Sequence, residues 1–84
     1  MYIHIGGEYV ISTRYIVAVL DMETVYSTQK DVLHYIKRME EQNRTEYVTE
    51  DIPKSVVITI DKIYMTGLST QVLLKRAEKG YRDT

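Results

Sequence analysis

The residues of this sequence best suited to chemistry are cationic side chains that can bind an oxyanion. Arg14 ends a polar segment between two apolar ones, where its long side chain can reach a phosphate or the carboxylate of a neighbouring subunit. Lys54 follows Pro53, which fixes the local backbone, so a rigid loop can present its ammonium group to a phosphate. Either residue can instead be an ordinary solvent-exposed cation. Arg14 and Lys54 are the primary binding candidates.

Three further cations lie near the end of the chain, in a predicted helix: Lys75, Arg76 and Lys79. Lys75 and Lys79 are four residues apart and share a face of that helix. Such a row can follow a nucleic-acid backbone or contact another subunit. A run of charge on a final helix is more often a solvated face that complements the helix dipole. These residues are secondary candidates for contact with DNA or with a subunit.

The sequence gives little support for an enzyme or for a metal site. The two histidines, His4 and His34, lie on different predicted elements, and neither has the spacing of a ligand pair or a motif that places it beside a serine or an acid. The Gly6-Gly7 pair lacks the helix and the Lys-Ser/Thr of a phosphate loop. No cysteine is present, which excludes disulfides and a closed Cys/His zinc site. We therefore predict a non-enzymatic protein without a metal or cofactor.

The charge is small overall and uneven along the chain. A net charge of -1 argues against indiscriminate wrapping of nucleic acid. Residues 1–53 are acidic overall and residues 54–84 are basic overall. Opposite signs at the two ends suit head-to-tail association or a local basic surface, although chance in a short chain gives the same pattern. All 8 aromatic residues are tyrosines, which are common at wet interfaces and in half-buried strands.

The length predicts one domain, 1–84, with a thin core. A chain of this size buries only about 60 to 65% of the surface that its unfolded form exposes, and small domains usually add disulfides, a metal or a partner subunit. Self-association is the support that remains, although such a domain can also fold alone. No segment approaches the length of a membrane helix, and the N-terminus lacks the pattern of a signal peptide. We expect a cytoplasmic protein without a membrane partner.

Hydrophobic periodicity predicts six strands and two helices in the order β-β-β-α-β-β-β-α. The strands are expected at residues 2–5, 9–11, 15–20, 46–50, 55–60 and 63–65. The strand at 46–50 is polar and is predicted to lie at an edge. Short connections make the sheet mostly antiparallel, which defines an α+β fold.

The two predicted helices have recognisable ends. The first is expected to begin at Ser27 or Thr28, with Thr28 and Asp31 forming a capping box, and to fade near residues 42–43. The second is expected at residues 71–79. Its predicted cap is Ser69 or Thr70, and Gly80 is its predicted stop.

Two strands have apolar residues on both faces: 15–20 (YIVAVL) and 55–60 (SVVITI). Two helices and one thin sheet do not provide enough cover for all four of these faces. Uncovered apolar area, at roughly 25 cal/mol per Å², favours contact with another subunit. The pattern therefore predicts self-association.

The sequence resembles a known family over nearly its whole length. Residues 1–14 (MYIHIGGEYVISTR) resemble the opening of the RemB branch of the RemA/RemB family of extracellular matrix regulatory proteins, and Asp21 closes the next strand as in that branch. Residues 53–59, and segments between residues 63 and 77, resemble the second half of that branch. The middle, around residues 40–51, is variable, and the opening segment is fairly specific.

This resemblance implies a DNA-binding regulator that activates matrix and biofilm genes in Bacillus-type bacteria. It further implies rings of small α+β subunits whose fold is similar to LytTR DNA-binding domains, with arginines around the ring binding DNA phosphates. Arg14 stands where the family has an arginine between the early strands. Lys54 stands where RemA-like chains carry the last basic residue before the central strand.

The chain departs from the family at an adjacent arginine pair of RemA-like chains, which Asp51-Ile52 replaces here. Asp51 repels a phosphate where an arginine attracts it. Two hypotheses follow. The chain binds the DNA backbone as a ring-like homo-oligomer, or it is a protein–protein interaction subunit that assembles with itself or a RemA-like partner without contacting DNA.

Overall fold

A computed structural model describes residues 1–83, with side chains as far as Glu78. The strands are β1 (Tyr2–Gly6), β2 (Tyr9–Ser12), β3 (Ile16–Asp21), β4 (Thr45–Tyr47), β5 (Ser55–Thr59) and β6 (Ile63–Thr66). The helices are α1 (Met22–Thr28), α2 (Lys30–Glu41) and α3 (Thr70–Asp83), and a short 3-10 turn covers Thr13–Tyr15.

The strands form two sheets. β1 and β2 make an antiparallel hairpin, and the other four strands form a sheet in the order β3-β5-β6-β4. Every pair in the larger sheet is antiparallel except β4 with β6, which is parallel. The predicted α+β class with a mostly antiparallel sheet is confirmed, and the strand after α2 lies at an edge as predicted.

The larger sheet is covered on both faces. Val56 and Val57, neighbours on the inner strand β5, are both completely buried and belong to different apolar clusters. The helices α1 and α2 cover the face that carries Val56. The hairpin and α3 cover the face that carries Val57, through Ile5 and Leu73. Successive strand residues point to opposite faces, so a strand that is apolar at every position is buried on both faces. The result is three layers: α1 with α2, the larger sheet, and the hairpin with α3.

The prediction of two helices was wrong, because the described residues contain three. Asp21 accepts a hydrogen bond from the Glu23 amide at 2.9 Å and caps α1, a helix of 7 residues. The capping box was also wrong. The Thr28 hydroxyl donates backwards to the Thr24 carbonyl at 3.0 Å, and α2 begins at Lys30 without a side-chain cap. A short helix that follows a strand directly leaves little periodic signal.

The last helix begins at Thr70, one residue before the predicted start, and ends later than predicted. The Ser69 hydroxyl accepts a hydrogen bond from the Val72 amide at 3.2 Å, which confirms Ser69 as the cap. The helix passes through Gly80 and ends at Asp83, so the predicted stop was wrong. A glycine inside a helix costs about 1 kcal/mol relative to alanine, which is too little to end it.

The hairpin is fastened to the sheet by specific contacts. The Thr66 hydroxyl donates to the Ile5 carbonyl at 2.6 Å in a buried position. The rings of Tyr9 and Tyr64 meet edge to face with centroids 5.9 Å apart. The Tyr9 hydroxyl donates to the Glu46 carboxylate at 3.2 Å, and the negative charge of Glu46 raises the pKa of Tyr9. These contacts fix the hairpin and therefore the turn that follows it.

Candidate nucleic-acid and subunit interface

Arg14 lies in the 3-10 turn that joins the hairpin to the sheet. The Arg14 amide donates to the Ser12 hydroxyl at 3.3 Å, and the Thr13 amide donates to the Met1 carbonyl at 2.9 Å. The side chain is exposed, and its guanidinium has no hydrogen-bond or ion-pair partner among the described residues. A fixed backbone thus presents an uncompensated guanidinium to solvent, a geometry that suits bidentate binding of a phosphate or carboxylate.

Lys54 is also exposed on a fixed backbone. Its amide donates to the Thr66 carbonyl at 2.8 Å, and its carbonyl accepts from the Met22 amide at 2.9 Å. The open hollow beside it has a volume of about 620 Å³, and the acidic residues Asp21 and Glu23 are part of its lining. These negative charges make the surroundings of Lys54 less favourable for a phosphate than those of Arg14.

The structure does not bring Arg14 and Lys54 together in one subunit. Arg14 precedes the first residue of β3, whereas Lys54 precedes Ser55, the partner of the last residue of β3. At about 3.3 Å per strand residue, the two positions are roughly 20 Å apart. They lie near opposite ends of the paired strands β3 and β5.

An apolar patch lies on this edge, and we call Tyr15, Val17 and Ile60 the β3 edge patch. The exposed fractions of these side chains are 54%, 65% and 69%. Ile60 donates its amide to the Tyr15 carbonyl at 3.2 Å, and the pairing register of β3 shifts between Ile16 and Ala18. A bulge of this kind re-aims a side chain at a sheet edge. Of the predicted apolar segments 15–20 and 55–60, these three large side chains are the ones that remain exposed among the described residues.

The secondary candidates have different surroundings. Lys75 is exposed on α3. Arg76 is half-buried and donates to the His4 carbonyl at 3.0 Å, with the His4 Nδ1 atom 3.3 Å away. It fastens α3 to β1, so a phosphate competes with this contact. The side chain of Lys79 lies outside the described residues.

The structure also shows a contact that the sequence did not reveal. The Tyr47 hydroxyl on β4 donates to the Glu40 carboxylate on α2, and this bond, with partial desolvation, raises the pKa of Tyr47 to about 12. Tyr47 and Glu40 stand at one side of a groove between α2 and the sheet. The sequence spacing of Tyr47 and Glu40 does not predict this contact, because the contact depends on how β4 pairs with β6.

The Tyr47–Glu40 bond predicts a pH dependence of stability. The pKa of Tyr47 is higher in the folded chain than its ordinary value of 10.0, so this stabilisation is complete below pH 10 and disappears as pH rises towards about 12. We expect urea denaturation to show a stability difference between wild type and Tyr47→Phe that shrinks over this interval. Tyr2→Phe is the control, since Tyr2 is also exposed but its hydroxyl makes no hydrogen bond within the described residues. A difference that stays constant with pH contradicts the prediction.

The described residues give no sign of a metal centre or a membrane span. They contain no group of three or more His, Cys, Asp or Glu side chains that could hold a metal ion. Within the same part of the chain, no helix is long and apolar enough to cross a membrane. His4 makes a local contact, with its Nε2 atom 2.6 Å from the Gly7 carbonyl.

The described residues form a small α+β domain with an exposed guanidinium at Arg14 and an apolar sheet edge. The RemA-like family, described as extracellular matrix regulatory protein A-like, matches residues 2–77. The chain is also 36% identical over 78 residues to extracellular matrix regulatory protein B of Bacillus subtilis (strain 168), covering 93% of this chain and 91% of that protein. The chain belongs to the RemA/RemB family and is RemB-like, which confirms the resemblance seen in its sequence.

Proposed function

We propose that this protein is a non-enzymatic regulator of extracellular matrix and biofilm gene expression that binds the DNA backbone as a ring-like homo-oligomer in the cytoplasm. The observation that carries the proposal is the Arg14 guanidinium, exposed on a fixed turn without a partner among the described residues. It occurs in a chain whose curated relative is named an extracellular matrix regulatory protein. We also propose that each subunit of the ring has a LytTR-like fold.

The distance between the two candidate cations suits a duplex. Each subunit offers Arg14 and Lys54 roughly 20 Å apart, which corresponds to about six base pairs at a rise of 3.4 Å. Copies arranged around a ring then add many weak phosphate contacts through effective concentration. Backbone contacts position a protein without reading the bases, so selection among sites depends on the path and shape of the DNA.

The test is binding of promoter DNA, measured by fluorescence anisotropy over a range of salt concentrations. We expect Arg14→Ala to weaken binding at least about tenfold at low salt and to reduce the slope of log K against log salt by about 0.9 for each phosphate that the variant no longer neutralises. Arg44→Ala is the matched control, because Arg44 is also exposed but lies beside β4. Unchanged salt-sensitive binding by Arg14→Ala removes Arg14 from the site. Absence of wild-type binding at low salt removes direct action on DNA.

A second function is favoured by the charges around Lys54. Asp51 occupies the same loop, and the hollow beside Lys54 is lined by Asp21 and Glu23. These carboxylates suit a cationic protein partner better than a phosphate. In this alternative the chain assembles with itself or with a RemA-like regulator and does not contact DNA. Co-purification with such a partner and a mass measurement without DNA separate the two functions.

A further inference from the structure

We propose that the groove between α1, α2, β4 and β6 binds a small amphiphilic anion, an acyl or aryl group that ends in a carboxylate. We call it the α2 groove. Its volume is about 390 Å³, and its lining includes Met22, Ile36 and Met65 below and Lys30 and Lys37 at the rim. Sites for small organic ligands have volumes of about 300 to 1,000 Å³, so this groove suits a ligand at the small end of that range.

The floor of the α2 groove is apolar and adaptable. Met22, Ile36 and Met65 each belong to the core between the helices and the sheet, and each is at least nine-tenths buried. A ligand in the groove also covers the rings of Tyr26 and Tyr47, which are 54% and 53% exposed, and this removes apolar surface from water in proportion to the area covered. Methionine side chains adjust to the shape of what they contact, so two of them suit a flexible or flat apolar group.

The rim selects for negative charge. Lys30, Leu33, His34 and Lys37 follow the i, i+3, i+4, i+7 spacing that places residues on one face of a helix, and all four line the groove. The one ion pair within the described part of the chain joins Lys62 to Glu46, so neither rim lysine is neutralised by a carboxylate within 4.0 Å. A ligand carboxylate placed here gains a charge-assisted hydrogen bond.

The acidic residue of the groove is already engaged. The Glu40 carboxylate accepts the hydroxyl hydrogen of Tyr47, a bond that joins α2 to β4 on that side. Two lysines against this one carboxylate leave the rim cationic. An anion therefore fits better than a neutral or cationic molecule with the same apolar group, and this difference is what the proposal predicts.

The probe is octanoate, compared with 1-octanol and octyltrimethylammonium at equal concentrations. Binding is followed on the whole chain through the ¹³C-methyl signals of its methionines. We expect saturable shifts of Met22 and Met65 with octanoate, and an affinity at least about tenfold higher than for 1-octanol. Met39 is the internal control, because it is buried in the same core but does not line the groove.

Two paired variants test the role of the rim. Lys30→Gln with Lys37→Gln should remove the preference for octanoate over 1-octanol, because the anion then has no ammonium partner. Lys54→Gln with Lys75→Gln changes the charge by the same amount at exposed positions outside the groove and should keep the preference. All four positions are exposed, so a thermal melt that matches wild type shows that each variant is folded.

Three results overturn the proposal. The first is no saturable shift at Met22 and Met65, or equal affinity for octanoate, 1-octanol and octyltrimethylammonium. The second is a shift of Met39 as large as those of the groove methionines, which indicates a general loosening of the core. The third is a shift of the groove methionines that follows protein concentration without ligand, which assigns the groove to a second copy. None of these results bears on DNA binding by Arg14.

Discussion

Substitution of Gly6 by alanine should lower the free energy of unfolding by about 2 to 4 kcal/mol, because it adds backbone strain to overpacking. Gly6 ends β1 with φ of +120°, a conformation that side chains other than glycine rarely adopt. A Cβ atom placed there would lie 3.1 Å from the Thr66 hydroxyl oxygen and 3.1 Å from a methyl group of Val48. Both neighbours would have to move.

The Thr66 hydroxyl has little freedom to move away. It donates to the Ile5 carbonyl at 2.6 Å and accepts from the Leu68 amide at 3.1 Å. Displacing it leaves the buried Ile5 carbonyl without its donor, which costs about 1 to 3 kcal/mol by itself. The strain therefore spreads into the contact that fastens the hairpin to the sheet, and we expect Gly6→Ala to loosen the hairpin as well.

The adjacent glycine provides the matched control. Gly7 has φ of +54°, a left-handed conformation that asparagine tolerates, and a Cβ atom there would meet nothing closer than 3.6 Å. Gly7→Asn should therefore change the free energy of unfolding by less than about 1 kcal/mol. Urea denaturation of both variants measures the difference. Equal decreases at the two positions would show that the close approach to Thr66 has no energetic importance.

The parts of the fold that were predictable from sequence depend on local periodicity. The strand at 55–60 was predicted to be apolar on both faces because side chains alternate along any strand, and its neighbours Val56 and Val57 belong to different apolar clusters. Gly6 and Gly7 lie between two predicted strands and are of the residue type that turns favour, and both have positive φ. The helix α1 was missed because its capping residue Asp21 also ends a strand, so that strand and helix share one boundary.

The exposure of Arg14 was predictable from the sequence, and the surroundings of the other candidate cations were less so. A polar break between apolar strands is a local feature, and Arg14 is exposed there. The separation of Arg14 from Lys54 depends on the register of β3 against β5, which no local pattern sets. The contact of Arg76 with His4 joins residues 72 positions apart, so a cation that looked available in the sequence is occupied in the fold.

The largest effect on assembly is expected from Val17→Asp combined with Ile60→Asp. Both side chains are more than half exposed in the β3 edge patch, at an edge strand of the larger sheet. Full burial of one such side chain contributes about 1.5 to 3 kcal/mol, so replacing two apolar groups by carboxylates should weaken self-association at least about a hundredfold. Light scattering at micromolar concentrations should show an oligomer for the wild type and a monomer for the variant.

Ile52→Asp tests whether self-association depends on the β3 edge patch or on exposed apolar surface in general. Ile52 has an exposed fraction of 82%, larger than that of any residue in the β3 edge patch, and it lies in the loop before Lys54. If apolar exposure alone drove association, this variant would have the greatest effect. We expect it to keep the wild-type mass, because its loop is not part of the β3 edge. The patch variant should also bind DNA more weakly although it retains Arg14, since phosphate contacts add only when subunits are joined. A monomeric patch variant with wild-type DNA affinity would mean that Arg14 acts alone.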